Sequence, residues 1–277
     1  MDKQLILNKY SKPEDKLLIS KMLDKIELSR TKNRIEYTDF LDVYQKHLLE
    51  KILKQEKVEN YIITGGAQDT ERNIIVFYPD KLKVIFEEDN TKALPIKCIR
   101  ITLPKEMHSK YSHRDYLGGL IKLGIKREKL GDIFVFDDGA DILFLDEILK
   151  FILNNISSLT RFNKSIIEEI DLSNIRQKEV NKQQIKVIVS SMRLDCVISE
   201  ILKTSRGKAE ELINEGRVFV NFENVYKFIK QIKESDLITI RGKGRFEIAR
   251  IEGETKSGRV KLSINKFIWI VGVGVAL

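Results

Sequence analysis

Two cysteines, three histidines, four prolines and one tryptophan are all that 277 residues contain of those four types. Cys98 and Cys196 lie far apart in apolar contexts, so a disulfide framework is excluded and buried thiols in a reducing cytosol are expected. Together with His47, His108 and His113 they form no metal-ligand spacing, so no metal site is expected, and no cofactor. No apolar run approaches the roughly 20 residues a membrane span needs. The apolar tail Phe267–Leu277 has eleven residues and reads as a buried strand or an irregular end, with peripheral membrane contact as the lesser alternative. Met1–Leu7 carries charge and lacks an apolar core, so no signal peptide is expected and the chain reads as cytoplasmic. What is present, 42% hydrophobic and 32% charged residues, is the composition of a folded protein long enough for two or three compact domains.

Net charge is +8, and its distribution is uneven. Residues 182–261 hold 17 Lys and Arg against 11 Asp and Glu, a net of +6, whereas residues 1–181 hold 31 against 30. Uniform charging for solubility would not concentrate the excess in one third of the chain. An anionic partner for the C-terminal part would.

Hydrophobic periodicity divides the chain. Residues 1–72 read as helical: Leu41, Tyr44, Leu48 and Ile52 recur at three- and four-residue steps behind a cap at Thr38 or Asp39, and Leu18, Met22 and Ile26 give an earlier face. Thr64-Gly65-Gly66 lacks the Lys-Ser/Thr of a phosphate cradle and reads as a turn. Residues 73–160 read as a small α+β sandwich. Strands are expected at Asn73–Tyr78, Lys83–Phe86, Lys97–Leu103, Asp132–Phe136 and Asp141–Phe144. A helix opens on the capping box Ser112/Asp115 and stops at Gly124, and a closing helix covers Asp146–Leu159. Gly118-Gly119, inside the first of these helices, points to close packing. Residues 161–181 read as a linker, with a strand leading into the last domain as the alternative, 182–266 as the last domain and 267–277 as a tail of unknown role.

The last domain carries the sharpest pattern. One helix spans about Arg193–Leu202, with Leu194, Val197, Ile198 and Ile201 on one face. Ser205 caps a second helix, ended by Gly216, whose apolar side is Ala209, Leu212 and Ile213. Arg206 and Lys208 therefore stand in its first turn. Cations there oppose the helix dipole at a cost of about 0.3–1 kcal/mol unless an anion neutralises them, and the free N–H groups at that end favour a phosphate. Strands follow at Arg217–Asn221 and Leu237–Ile240, and Arg241-Gly-Lys243-Gly-Arg245 sets three cations in five residues. With Arg193 and Arg217 these form a basic stripe, the footprint of nucleic-acid binding.

This arrangement resembles the RNA-binding domain known from small-subunit ribosomal protein S-four, an αL-like motif. The residues carrying it are Arg193-Leu194-Asp195, Ser205-Arg206, Ala209, Ile213, Gly216, Val218, Val220-Asn221, Asp236 and Ile238. Phe222 departs from it, standing where many such domains have Gly, so that turn is expected to be built differently. The run from Ser112 to Ile133, Ser-His-Arg-Asp-Tyr-Leu-Gly-Gly-Leu-Ile-Lys-Leu-Gly-Ile-Lys-Arg-Glu-Lys-Leu-Gly-Asp-Ile, is similar to the central-domain signature of YlmH-family bacterial proteins. That resemblance covers about residues 1–266. It implies an α+β architecture with a helical N-terminal region, an RRM-like middle and an S-four-type C-terminus. It further implies a non-enzymatic protein that binds large ribosomal subunits carrying stalled peptidyl-tRNA, in ribosome-associated quality control. A link to cell division is also attached to the family.

Enzymatic readings fail on position. His113-Arg114-Asp115 looks like a kinase catalytic loop but lacks the downstream Asp-Phe-Gly. Arg193-Leu194-Asp195 looks like a pseudouridine-synthase triplet, yet lies inside the binding domain. A methyltransferase would need a glycine-rich loop between a strand and a helix, and Gly118-Gly119 is inside a helix instead. The expected RNA contacts are Arg193, Ser205, Arg206, Lys208, Arg217, Arg241, Lys243 and Arg245, on ribosomal RNA and, as a further partner, tRNA. A second RNA surface would use His113, Arg114, Lys97 and Arg100, with Phe77 or Tyr78 stacking on a base; for His113 a plain surface role is the simpler reading. The alternative is a division-apparatus adaptor whose N-terminal helices bind a protein; an RNA-modifying enzyme stands third.

Overall fold

A computed structural model describes residues 2–88, 93–176 and 181–268. The chain is α+β and forms two compact units that divide at Lys178/Glu179.

The first unit begins with helices α1 (Lys3–Asn8), α2 (Pro13–Lys32) and α3 (Val43–Gln55), with strand β1 (Glu36–Tyr37) between α2 and α3. Strands β2 (Tyr61–Thr64) and β3 (Ile74–Phe77) follow, and the antiparallel order is β1-β3-β2. The cap of α3 is Asp42, not Thr38 or Asp39. Those two residues are used elsewhere: Thr38 Oγ1 accepts from the Ile75 N–H at 3.0 Å, and Asp39 pairs with Lys129. Asn73–Tyr78 is a strand as expected, but it pairs within this first sheet. Lys83–Phe86, expected as a strand, is instead part of helix α4 (Lys83–Glu88). Val84 and Ile85 stay exposed there and, among the described side chains of the helix, only Phe86 is buried, stacked on Tyr78 at 4.3 Å. A single anchored face suits a short helix, not a strand buried on both sides.

Next come β4 (Ile96–Thr102), α5 (His113–Lys122), β5 (Leu130–Phe136), β6 (Gly139–Leu145), α6 (Leu149–Asn155) and β7 (Ile166–Ile170). The sheet order β5-β6-β4-β7, antiparallel throughout, is the βαββαβ topology expected of an RRM-like domain. The α5 capping box forms between Ser112 and Asp115, and Gly124 ends the turn at φ +88°. Gly119 faces Leu159 and Phe162, where a Cβ would come within 3.2 Å. The stretch expected as a linker, 161–181, is in part strand β7: Ile167 pairs with Ile101 and packs on the core. Its two glutamates, facing Ile99 and Arg100, hide the strand from a hydrophobic pattern.

Alternation along the strands builds four layers. Ile75 and Phe77 face α1–α3, while Ile74 and Val76 face the second sheet and meet Cys98, Leu143 and Leu145. Ile99, Ile101, Ile142 and Phe144 point the other way, into α5 and α6. The expected boundary between residues 72 and 73 therefore does not separate two bodies, because both sheets share one apolar layer. At its edge Gly131 approaches Phe40 so closely that a Cβ would lie 2.8 Å from the ring. Arg72 ties the same edge, donating from Nη2 to the Phe40 carbonyl at 2.8 Å and from Nε to that of Leu130 at 2.9 Å.

The second unit holds β8 (Asn181–Val189), α7 (Leu194–Leu202), α8 (Arg206–Asn214), β9 (Val218–Val220), β10 (Glu223–Asn224), β11 (Leu237–Ile240), β12 (Gly244–Glu254) and β13 (Val260–Ile268). Its antiparallel sheet has the order β10-β9-β11-β12-β13-β8. Leu194, Val197 and Ile198 of α7, with Ala209 and Ile213 of α8, pack on Val218, Val220, Ile238 and Ile240. The expected helix faces are those that are buried. Phe267 and Ile268 close β13; the rest of the 267–277 tail lies outside the described residues.

Gly131→Ala should destabilise the first unit by about 1–3 kcal/mol, the range for overpacking a filled site. Urea unfolding followed by circular dichroism measures it. An unchanged midpoint would mean that the two sheets do not close on each other at this edge.

Candidate nucleic-acid interface

Ser205 opens α8 in extended conformation, and its Oγ accepts the Lys208 N–H at 3.3 Å, as the sequence predicts. Arg206 and Lys208 are exposed in that first turn, which holds no acidic residue. Arg206 is not wholly free: its Nη2 donates to Ser190 Oγ at 2.7 Å and to the sulfur of buried Cys196. It thereby braces the start of α8 against the first turn of α7. Lys208 is exposed, with its backbone N–H on Ser205.

Arg193 caps α7, but its guanidinium is engaged. Nε and Nη2 donate to the two carboxylate oxygens of Asp195 at 3.0 and 2.8 Å, and the group lies 5.6 Å from the Phe228 ring centroid. Burial pushes the Asp195 carboxyl up, and the bond to Arg193 outweighs it, holding the carboxyl below its usual range. The Arg-Leu-Asp triplet is thus a closed internal pair, with the Asp195 side chain 1% exposed.

A second cluster forms where β9 meets β11. The Arg217 Nη2 donates to the Arg241 carbonyl at 3.0 Å and the Arg241 N–H to the Arg217 carbonyl at 2.9 Å. Gly242 (φ +75°) and Gly244 (φ +118°) turn the chain so that Arg241 and Lys243 are both exposed, Arg241 over the Phe219 ring at 5.0 Å. Arg245 does not join them. It is only 8% exposed, 6.0 Å from the Phe222 ring and paired across the sheet with buried Thr239, on the face of β12 opposite the core residues Phe246 and Ile248. The expected stripe is therefore two clusters, one at the helix starts and one at the β11–β12 turn.

The turn at Phe222 is not built differently. Asn221 (φ 50°) and Phe222 (φ 70°) form a two-residue left-handed turn between Val220 and Glu223, the geometry usually given to Asn-Gly. Asn221 secures it, donating to Asp236 Oδ1 at 2.7 Å and accepting from the Leu237 N–H at 2.9 Å. The sequence reading misses the neighbouring loop, in which Tyr226 and Phe228 are exposed beside Lys227 and Lys230. Alternating aromatic and basic residues were the available signal.

The expected second surface is mostly internal. Arg100 donates from Nε and Nη2 to fully buried Asp141 at 2.8 Å each, and Arg176 binds the same carboxylate. Lys97 pairs with Glu169 at 3.0 Å. Phe77 and Tyr78 are both in the core. His113 is 7% exposed, with Nδ1 unpartnered. Of His113, Arg114, Lys97 and Arg100, Arg114 alone falls among the exposed residues. The sheet face turned away from α5 and α6 is covered by the first sheet through Ile74 and Val76.

Burial, with the nearby Arg127 charge, pulls the His113 pKa from 6.5 down to about 4. The unfolded chain then binds the proton more readily, so the stability it contributes is present above about 6.5 and is lost as pH falls towards 4. Burial pushes Asp132 the other way, from 3.8 to about 6, so its contribution strengthens as pH falls across that interval. His113→Leu should therefore gain stability relative to the native protein between about pH 7 and 5. Denaturation midpoints at the two pH values check this; an equal offset at both would show that the folded imidazole takes up its proton as readily as the unfolded one.

Residues 90–174, which contain the βαββαβ elements, match the family described as "Putative RNA-binding domain in YlmH". The curated protein "Ribosome-associated protein quality control protein P2" of Bacillus subtilis (strain 168) is 27% identical over 259 residues, covering 93% of this chain and 97% of that protein. Among solved structures, "Cell division protein ylmH from Streptococcus pneumoniae" is 18% identical with a TM-score of 0.46, covering 60% of this chain and 98% of that one. A match within the central domain and a relative aligned along nearly the whole chain bear out the resemblance to the YlmH family read from Ser112–Ile133.

Proposed function

We propose that this protein is a non-enzymatic RNA-binding factor of the ribosome, gripping structured ribosomal RNA of the large subunit during quality control of stalled translation. The observation that carries this reading is the start of α8. Two exposed cations stand where the helix dipole disfavours them, beside a serine cap and backbone N–H groups that suit a phosphate. The Arg217–Arg241–Lys243 cluster supplies a second grip on the same small domain. Structured RNA is read mostly by shape, phosphates and 2′-hydroxyls, which matches cationic clusters better than a deep pocket. The relative's name supplies the ribosomal setting, and peptidyl-tRNA beside the rRNA is the further partner proposed.

Arg206 also braces α7, so reversing it would cost stability as well as charge. The cleaner variants are Lys208→Glu and Lys243→Glu. Each should lower co-sedimentation with large ribosomal subunits while leaving the thermal midpoint within about a degree, as surface changes do. Affinity for an rRNA fragment should fall steeply with salt, and each lost phosphate contact should flatten that slope by about 1. A salt-independent affinity, or undiminished sedimentation of the double variant, would count against phosphate-dominated binding. Ribonuclease treatment of the pulled-down complex separates this reading from a protein adaptor, whose partners would survive digestion.

A further inference from the structure

The segment Tyr226–Lys233 reads Tyr-Lys-Phe-Ile-Lys-Gln-Ile-Lys, with three lysines and no carboxylate. Tyr226 is 63% exposed and Phe228 37%. Their exposure does not come from a loose loop. The Leu194 N–H donates to the Lys230 carbonyl at 2.9 Å, the Asp195 N–H to that of Phe228 at 3.2 Å, and the Ile232 N–H to that of Met192 at 2.8 Å. Arg193 and Gln231 add an antiparallel bridge, and Val225 and Ile232 anchor the two ends in the core. Tyr226 is set against the end of α8, its hydroxyl close enough that a Cβ on Gly216 would lie 3.2 Å away. Two rings are thus held out to solvent by a pinned backbone.

Exposed aromatic rings on a fixed frame suit a partner with a flat apolar face. The cations narrow it further: Arg193 lies over Phe228 at 5.6 Å, and Lys227 is exposed between the two rings in sequence. A nucleotide carries a flat face and a negative charge in one unit, whereas a protein patch supplies them from separate residues. Position agrees. The Asp195 N–H binds the Phe228 carbonyl, and the sulfur of the next residue, Cys196, accepts from Arg206 at the α8 start. Phe228 and the candidate phosphate site therefore attach to adjacent residues of one helical turn.

We infer that Tyr226 and Phe228 form a stacking platform for an unpaired nucleotide of the bound RNA, next to a duplex whose backbone phosphate sits at the start of α8. This rests on the RNA-binding reading and adds to it a preference for a bulged or looped-out base.

The test uses the full chain and two RNA hairpins of equal length, one fully paired and one with a single bulged 2-aminopurine. The native protein should bind the bulged hairpin more tightly and quench its fluorescence by stacking. Tyr226→Ala and Phe228→Ala should each weaken binding to the bulged hairpin by about 5- to 150-fold, the range for one base–aromatic stack, and leave the paired hairpin unchanged. Tyr226→Phe should keep the preference, and Tyr226→Leu, which retains apolar area without a π face, should lose it. Lack of preference by the native protein, or equal losses on both hairpins, would overturn the platform while leaving RNA binding intact. Binding to neither hairpin would overturn both. If the alanine variants bind both hairpins normally but lose co-sedimentation with ribosomal subunits, the rings meet a protein and the inference fails.

Discussion

The apolar layer between the two sheets of the first unit decides what that unit can do. Ile74 and Val76 from one sheet close on Cys98, Leu143 and Leu145 from the other, so β6 is buried along its entire length. An RRM-like sheet with helices on one face would otherwise leave the second face to water or to RNA. Here that face belongs to the core. Burial at roughly 25 cal/mol per Å² of apolar area makes uncovering it costly, so a ligand cannot displace the first sheet without unfolding the unit.

Charge follows the same division. Arg72, Arg100, Arg127 and Arg176 donate to carbonyls and carboxylates inside the first unit. The flat, five-donor guanidinium suits such internal ties better than lysine does. In the second unit the unengaged cations are mainly lysines on turns and helix starts, among them Lys208, Lys227 and Lys243. The near-zero balance of residues 1–181 and the excess beyond them express this difference. It also explains why Arg100 looked like a half-exposed strand cation, when its Asp141 partner stands 41 residues further on.

Local signals were legible where one short window settles the outcome. The Ser112/Asp115 box, the Ser205 cap and the stop at Gly124 all depend on a few neighbouring residues, and each forms as read. Readings failed where a distant partner decides. Val84 and Ile85 looked like strand residues until only Phe86 found a ring to stack on. Glu168 and Glu169 hid β7, whose pairing with β4 across some 70 residues no window could display. Of the candidate site, the exposed placement of Ser205, Lys208, Arg241 and Lys243 was legible because it depends on the turn or helix start each stands in. Arg193 and Arg245 were misread because an aspartate and an aromatic ring had already engaged them.

The remaining misreadings gather in one place. Phe222 adopts a backbone conformation that costs a bulky residue about 1–2 kcal/mol, although glycine would relieve it. Asn221 offsets part of that cost through its bonds to Asp236 and Leu237, and Phe222 covers the buried Arg245 guanidinium. A few residues on, Tyr226 and Phe228 are held exposed when nothing in the fold requires aromatic rings there. A sequence that otherwise obeys local rules breaks them three times within seven residues, and the last of the three, Phe228, is bonded through its carbonyl to the first turn of α7. Sites where local consistency is given up are those where something other than folding is being served. The aromatic loop and the start of α8 are then best regarded as one surface, assembled on the first turn of α7.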